Sequence, residues 1–563
     1  MNIVGINGWN SWFHDSSICI VRDNKLVFAC EQERFSRTKH TSQAPCEALE
    51  RGFKEQKLTW SDIDQISIGW DVPFYSRYFS NDFSKEYCTD IIRNELGIPK
   101  TFPITRIKFT KHHVAHALSG LILTPLDQQC LLLVLDGQGE QDSITIFRYS
   151  LGDLHVLDSY SSEYSLGYFY EAASKYIGLN LTDTGKFMGL SGYGTPKYSF
   201  SKFENLITAN SSKPTSDLVD INISEDLDDA KRIVDSYWIP EFHNIEPRAF
   251  NHSLKLDERN KLASKQYIND FASSVQFTLE RVIRHLVLKY INKNDESIVI
   301  TGGVGLNCKS NGELLRALNQ KIYIQPLAND AGVSLGAAIS ILFEKQRSLI
   351  DLTSFPYIGP EYSEKEILSE LQRSNQEFEY TKFPWLSAAR LISEGKVIGW
   401  FQGKAEVGPR ALGARSILAR ADSKELRNHI NINIKQREIW RPFSPAILAE
   451  LAPNYFEMFS ESPYMLFSFK ALSELTNRHF AGTLHIDSSA RVQTVNKNCK
   501  NTPFRKLIEE VYKLTSIPGV LNTSFNAYHE PIVNSPLDAI KTFMSSNLDA
   551  LIIGNFIVKR SSL

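Results

Sequence analysis

The sequence predicts an α/β protein with a duplicated first region and a separate second region, and three observations carry that prediction. A short apolar strand, a polar glycine-bearing turn and a hairpin pattern occur twice within the first 160 residues. Strand–glycine loop–helix units follow near residue 300, the arrangement in which open α/β sheets bind nucleotides at their carboxyl edge. After a seam at 345–380, which carries Pro356, Gly359 and Pro360, a new apolar strand begins at 397–401.

Taken in order, residues 3–6 form the first strand and end in a Gly-Trp-Asn turn. Residues 18–21 and 26–29 form a hairpin around Arg22-Asp23-Asn24-Lys25. The plan returns as the strand 130–135, the turn Asp136-Gly137-Gln138-Gly139, and the paired segments 143–149 and 154–160. A long helix covers 264–292, because Phe271, Val275, Leu279, Val282, Leu286 and Tyr290 step by 4, 4, 3, 4 and 4 and make one apolar face. It feeds a strand at 298–300 and the loop Thr301-Gly302-Gly303-Val304-Gly305-Leu306-Asn307. A strand at 322–324 leads through Asn329-Asp330-Ala331-Gly332 to a small-residue helix at 333–342. The expected domains are 1–350 and 381–563, joined by a linker region at 351–380.

Composition limits the function. Lys plus Arg is 62 and Asp plus Glu 64 among 563 residues, a net charge of −2. That balance argues against nucleic acid as a partner, which needs an extended basic surface. Apolar runs are too short to span a bilayer, and the first ten residues lack the basic start of a secretory signal. The seven cysteines are scattered without a CxxC pair, which excludes a zinc ribbon and fits a reducing cytoplasm.

Four side chains suggest a metal. His112 and His116 lie four apart, on one face of a helix, and both imidazoles can reach one ion. Asp136 at a strand end and Asp330 before a helix complete a set suited to iron(II), manganese or zinc. A helix with ordinary core histidines is the competing reading, and the two aspartates tip the balance to the metal. His14 follows the first strand and turn, where it can serve as general base for a substrate hydroxyl or simply be a loop histidine held by Asp15. Gly302, Gly303 and Asn307 let a nucleotide approach the backbone closely. From Lys404 to Arg441, nine cations (Lys404, Arg410, Arg415, Arg420, Lys424, Arg427, Lys435, Arg437, Arg441) face four acids (Glu406, Asp422, Glu425, Glu438). Arginines set in glycine and proline turns read as a phosphate pocket. The polar segments 489–493 and 522–526 read as turns that could wall it.

Three motifs in the first region, His14-Asp15-Ser16-Ser17, Glu31-Gln32-Glu33-Arg34-Phe35-Ser36-Arg37-Thr38-Lys39-His40 and His112-His113-Val114-Ala115-His116-Ala117, resemble the NodU/CmcH-type O-carbamoyltransferases. In the second region, Gly408-Pro409-Arg410-Ala411-Leu412-Gly413-Ala414-Arg415-Ser416, Arg441-Pro442-Phe443-Ser444-Pro445-Ala446 and residues 522–533 are similar to the same family. The resemblance implies a duplicated actin/sugar-kinase-like (ASKHA) first domain and a YrdC-like α/β second domain. It implies that the second domain makes carbamoyl-adenylate from carbamoyl phosphate and ATP, with Mg2+ accompanying ATP. The first would then pass the carbamoyl group to a hydroxyl of a small-molecule acceptor of natural-product or sugar type. Carried over, His112, His116, Asp136 and Asp330 would bind iron(II) or another divalent metal, His14 would be the base and Lys39 would lie near the adenylate. Arg410, Lys435, Arg441 and Arg491, with Asn522 and Asn526, would hold carbamoyl phosphate or ATP. A homodimer is a family-level expectation. One departure from the family pattern is His529-Glu530-Pro531, where Gly-Glu-Pro is usual.

The rival readings are a tRNA threonylcarbamoyl transferase or ASKHA-type kinase with the same core, and a non-catalytic regulator that binds metal and nucleotide. Near-neutral charge disfavours the first. A kinase leaves the arginine-rich second region without a task, and a regulator would bind without turnover.

Overall fold

Duplication is visible in the strand order. The first sheet is built from β1 (Asn2–Asn7), β2 (Ser17–Arg22), β3 (Lys25–Glu31), β4 (Gln65–Ile68) and β5 (Ile107–Phe109), in the order β3-β2-β1-β4-β5. The second contains β6 (Cys130–Leu135), β7 (Asp142–Ser150), β8 (Asp153–Ser161), β9 (Ser297–Thr301) and β10 (Lys321–Tyr323), in the order β10-β9-β6-β7-β8. Each begins with a three-stranded antiparallel meander, and each then adds two parallel strands on the far side of its first strand. Two copies of one topology make the duplicated actin/sugar-kinase type of core. The structure, a computed structural model, describes the chain except residues 10–12, 77–81, 83, 126, 209–232, 246–252, 319, 347–349, 459 and 561–563. The end of the predicted Gly-Trp-Asn turn and the stretch beside the boundary at 350 therefore lie outside the described residues.

The apolar patterns do what their spacing predicts. β6 is buried along its whole length, as a central strand covered on both faces must be. The long helix runs Gln266–Tyr290 and buries Phe271, Val275, Leu279, Val282 and Leu286. Two further helices, His112–Gly120 and Val333–Gln346, follow the fifth strands of their sheets. Apolar residues from β1, β2, β6 and β9 form one core with residues of both helices.

Small residues let these parts approach closely. A Cβ on Gly336 would lie 1.7 Å from the Ala115 carbonyl oxygen, and one on Gly5 would lie 1.9 Å from that of Ser334. Any side chain there would separate the helix Val333–Gln346 from the helix His112–Gly120 or from β1. The small-residue composition read from the sequence thus fixes the distance between Asp330, in the turn that starts one helix, and the histidines of the other.

The second half carries β11 (Glu379–Tyr380), β12 (Ile398–Phe401), β13 (Arg415–Arg420), β14 (Ser444–Leu448), β15 (Ser468–Lys470), β16 (Ser489–Arg491), β17 (Gln493–Val495), β18 (Gly519–Ser524), β19 (Ala550–Ile553) and β20 (Phe556–Lys559). Eight of them form a mixed sheet in the order β11-β20-β19-β12-β13-β18-β14-β17, and β15 pairs with β16. Separate apolar clusters line its two faces, one of them including the helix Thr502–Thr515. The segments 489–493 and 522–526 correct the sequence reading: β16, β17 and the end of β18 occupy much of what was read as turn. Among the described residues no helix is long and apolar enough to cross a membrane. All seven cysteines are free.

Candidate functional site

The helix His112–Gly120 presents His112 and His116 on one face, and their Nε2 atoms lie 3.1 Å apart. Asp136, just after β6, places Oδ2 3.4 Å from His112 Nε2 and 3.7 Å from His116 Nε2. Asp330 places Oδ1 3.7 Å and 3.4 Å from the same two nitrogens. All four side chains are buried, and one ligand atom from each falls within 4.8 Å of the others. Tetrahedral bonds of 2.0–2.2 Å would separate ligand atoms by about 3.3–3.6 Å, close to the nitrogen–oxygen distances found. Two imidazoles and two carboxylates converging at this spacing fit a divalent cation, and this donor set does not single out iron.

The surroundings orient these ligands. His112 Nδ1 lies 3.3 Å from the Gly69 carbonyl, and its ring stacks 3.6 Å from Trp70. The Gly303 N–H donates to Asp136 Oδ1 at 2.9 Å. Against burial, the imidazoles hold both aspartates below the usual carboxylate range. His113 takes no part: it faces Thr145 Oγ1 at 2.6 Å, and burial beside His112 pushes it down to about 3.

His14 stands at the mouth of this centre with 64% of its side chain exposed, 3.4 Å from Asp15 Oδ2 and 3.9 Å from Asp330 Oδ2. Asp15 also meets His40 Nδ1 at 2.7 Å and accepts from Asn329 Nδ2 at 2.9 Å. Sequence reasoning passed over a further carboxyl group, Glu171, on the helix Leu166–Tyr176. Burial, aided by Asp136 and Asp330 and opposed by His14, pushes it up to about 7. One carboxylate on an amphipathic helix has no spacing signature.

The glycine loop serves the metal ligands and the sheet. A Cβ on Gly302, whose φ is +86°, would lie 2.2 Å from the Leu135 carbonyl oxygen, so this residue lets two strands converge. The Asn307 amide exchanges hydrogen bonds with Gln276 at 3.0 and 3.2 Å and accepts from the Ser310 N–H at 3.0 Å.

The cationic run divides into structural and open groups. Arg415 is structural: it is buried and donates to the carbonyls of Gln402, Ala414, Pro360 and Gly403 at 2.9–3.2 Å. Arg420 pairs with Asp422 at 2.6 Å. Both lie in β13 and Arg427 lies in a helix, which corrects the placement of these arginines in glycine and proline turns.

Arg410, Arg437, Arg441 and Arg491 are different. Burial and the neighbouring Arg491 and Arg441 push Arg410 down to about 9, and its buried Nε has no hydrogen-bond partner. Among the described residues no carboxylate pairs with Arg410 or Arg491, and Arg491 Nε donates to Ser444 Oγ at 2.9 Å. Arg437, counted in the run but given no role from sequence, belongs here: its Nε donates to Asn431 Oδ1 at 2.8 Å, and burial and Arg441 depress its ionisation. Arg441 is 3.8 Å from Glu438, the nearest acid. Cations crowded together in a half-buried cleft call for an anion between them.

The remaining predicted pocket residues brace it. Lys435 Nζ donates to Ser524 O and to both oxygens of Asn526, and it lies in the field of Arg437, Lys39 and Arg441. Asn522 Nδ2 donates to Ala411 O at 3.2 Å and to Gln493 Oε1 at 2.8 Å. Asn526 Nδ2 donates to Glu530 O at 2.5 Å. Lys39 lies in the field of the arginines and immediately precedes His40, the partner of Asp15; desolvation and the charges of Arg441, Arg437 and Lys186, opposed by Glu33, push its ammonium down to about 8. Beyond Asn526, His529 holds a φ of +60°, a left-handed backbone that glycine adopts without strain and histidine does not.

The family model for the carbamoyltransferase C-terminus matches residues 389–560, and that for the carbamoyltransferase N-terminus matches 2–90 and 75–339. An uncharacterized protein of Synechocystis sp. is 30% identical, over 99% of this chain and 97% of its own length. Nodulation protein NolNO of Sinorhizobium fredii is 31% identical, over 98% of this chain and 80% of its own. Among solved structures, component A of the Acidaminococcus fermentans (R)-2-hydroxyglutaryl-CoA dehydratase aligns with a TM-score of 0.34 at 16% identity, covering 61% of this chain and 100% of that one.

Proposed function

Since the chain belongs to the carbamoyltransferase family, we propose that it is an ATP- and carbamoyl-phosphate-dependent O-carbamoyltransferase acting on a small-molecule hydroxyl acceptor. The observation that carries this reading is the presence in one chain of two arginines, Arg410 and Arg491, that no carboxylate pairs among the described residues, and of a four-ligand centre fit for a divalent cation.

The second half binds the phosphate groups. Arg410, Arg437, Arg441 and Arg491 present charged donors to phosphate oxygens, with Lys435 and Asn526 fixing the adjoining wall. There water cleaves carbamoyl phosphate to carbamate and phosphate, and a carbamate oxygen then attacks the α-phosphorus of ATP, forming carbamoyl-adenylate as pyrophosphate leaves. In the first half, His14 accepts the proton of the acceptor hydroxyl as its oxygen attacks the carbamoyl carbon, and AMP leaves. Asp15 orients the His14 ring, while Lys39 accompanies the adenylate phosphate. A divalent ion, when bound by His112, His116, Asp136 and Asp330, supplies a Lewis-acid charge that stabilises negative charge developing beside it. Burial of these ligands keeps water from competing for the carbamoyl group.

Carbamoyl-phosphate-dependent release of pyrophosphate from ATP, measured without acceptor, tests the first step. Labelled carbamoyl phosphate offered with a panel of hydroxylated compounds tests the second. Arg410→Ala should abolish pyrophosphate release, whereas His112→Ala and Asp330→Ala should spare it and block transfer. Pyrophosphate release that ignores carbamoyl phosphate would refute the reading.

A further inference from the structure

The segment from Glu31 to Lys39 contributes more than Lys39. Glu31 ends β3, and Arg34 and Arg37 lie on and just after a single helical turn, Glu33–Ser36. Glu31 and Arg34 are buried at 7% and 3% side-chain exposure and reach across to the second half. The Gly408 N–H donates to Glu31 Oε1 at 2.8 Å, while Arg34 Nη2 donates to the Gly408 carbonyl at 2.6 Å. Both polar groups of one residue are thus gripped from the opposite half. Gly408 has a φ of +92°, and a Cβ there would lie 2.4 Å from the Pro326 carbonyl oxygen, so the loop is pressed against the first half. Two residues on comes Arg410.

Arg37 grips a second loop. Its Nη1 donates to Ile532 O at 2.8 Å and its Nη2 to Pro531 O at 2.9 Å, with Glu530 3.5 Å away. Glu530 O in turn accepts from Asn526, whose own oxygens hold Lys435. One short segment therefore holds the loop that presents Arg410 and the loop that braces Lys435. Resting on the reading of that pocket as the carbamoyl-activating site, we infer that Glu31, Arg34 and Arg37 are positioning residues for it, so that anion binding by the second half requires the first half to be docked.

Charge and geometry make opposite predictions at Glu31. Removing a carboxylate near a cationic pocket tightens anion binding if only the field matters. Removing the acceptor of the Gly408 N–H weakens binding if position matters.

The test titrates the full-length chain with inorganic pyrophosphate by calorimetry and, separately, with Mn2+ for the four-ligand centre. Glu31→Ala is expected to weaken pyrophosphate binding at least fivefold, and Glu31→Gln, which keeps an acceptor oxygen, to stay within twofold of wild type. Mn2+ binding within twofold in every variant reports an intact first half. Arg37→Lys, on a less buried side chain, provides a second route should Glu31→Ala not fold. It keeps the charge, loses the two-pronged grip and is expected to weaken binding at least threefold. Unchanged or tighter pyrophosphate binding in Glu31→Ala, or wild-type affinity in Arg37→Lys, overturns the inference alone. A wild-type chain that binds no pyrophosphate overturns the anion pocket and the inference with it.

Discussion

Arg415→Met separates a structural cation from a ligand-binding one. The wild-type guanidinium is fully buried, meets four carbonyl oxygens at 2.9–3.2 Å and lies 3.6 Å from the centre of the Phe401 ring. Methionine fills similar space but leaves those carbonyls without a donor. Charge-assisted hydrogen bonds contribute about 1.5–3 kcal/mol each, and the energy of burying the cation offsets part of their sum. Breaking such a buried charge arrangement costs about 3–5 kcal/mol, and at roughly 2–4 °C per kcal/mol for a domain of this size the second half should melt about 10 °C lower. Arg415→Lys keeps the charge with fewer donors and should recover part of the loss. Scanning calorimetry reads the melt, and pyrophosphate titration well below it reads the pocket, which should keep its affinity. A variant that melts within about 2 °C of wild type yet loses pyrophosphate binding would refute the structural assignment.

Asp136→Asn should lower divalent-cation affinity at least about 100-fold, since loss of an outer partner alone costs about 10–100-fold; calorimetric titration with Mn2+ measures it, and a smaller loss would remove Asp136 from the ligand set. Glu280→Gln should stabilise the protein at pH 8 and not at pH 4. Burial, opposed by the Gln276 hydrogen bond and Lys309, raises the Glu280 carboxyl from an ordinary 4.5 to about 7. Its penalty is therefore absent below the unfolded value, grows as pH rises through that window, and reaches at most about 3 kcal/mol above it. Equal melting shifts at both pH values would remove that ionisation as the cause. His529→Gly should raise the melting temperature of the second half through relief of about 1 kcal/mol of left-handed strain; a fall of similar size would mean that the tilted ring contact with Tyr528, at 3.8 Å, outweighs it.

Some of this arrangement could be read from residues alone. The repeated strands were legible because fully buried strands must be continuously apolar while the turns between them are polar, and β6 is both. His112 and His116 announced themselves through helical spacing, and Asp136 and Asp330 through positions at a strand end and a helix start. Strand order was not legible, because pairing such as β13 with β18 joins residues a hundred positions apart. Arg415 and Arg410 look alike in sequence, and only the groups around each guanidinium tell a brace from a binding group. The polar stretches at 489–493 and 522–526 resembled turns because polar residues dominate them, while only Ala490, Val492 and Phe525 enter apolar clusters.

The duplicated frame holds chemistry that is not duplicated. His112 and His116 follow the fifth strand of the first sheet, and Asp330 follows the fifth strand of the second, so these ligands occupy related places in the two copies. The remaining pair differs: the first strand of one sheet ends in Asn7, while that of the other runs into Asp136. Asn7 spends its amide on His14 O, Asp15 O and the Trp70 indole. One copy thus shapes the loop that carries His14, and its counterpart supplies a charge. Neither repeat contains a complete ligand set, so an ion seated here works as a rivet between them, and any hinge motion that parts the repeats must first undo it.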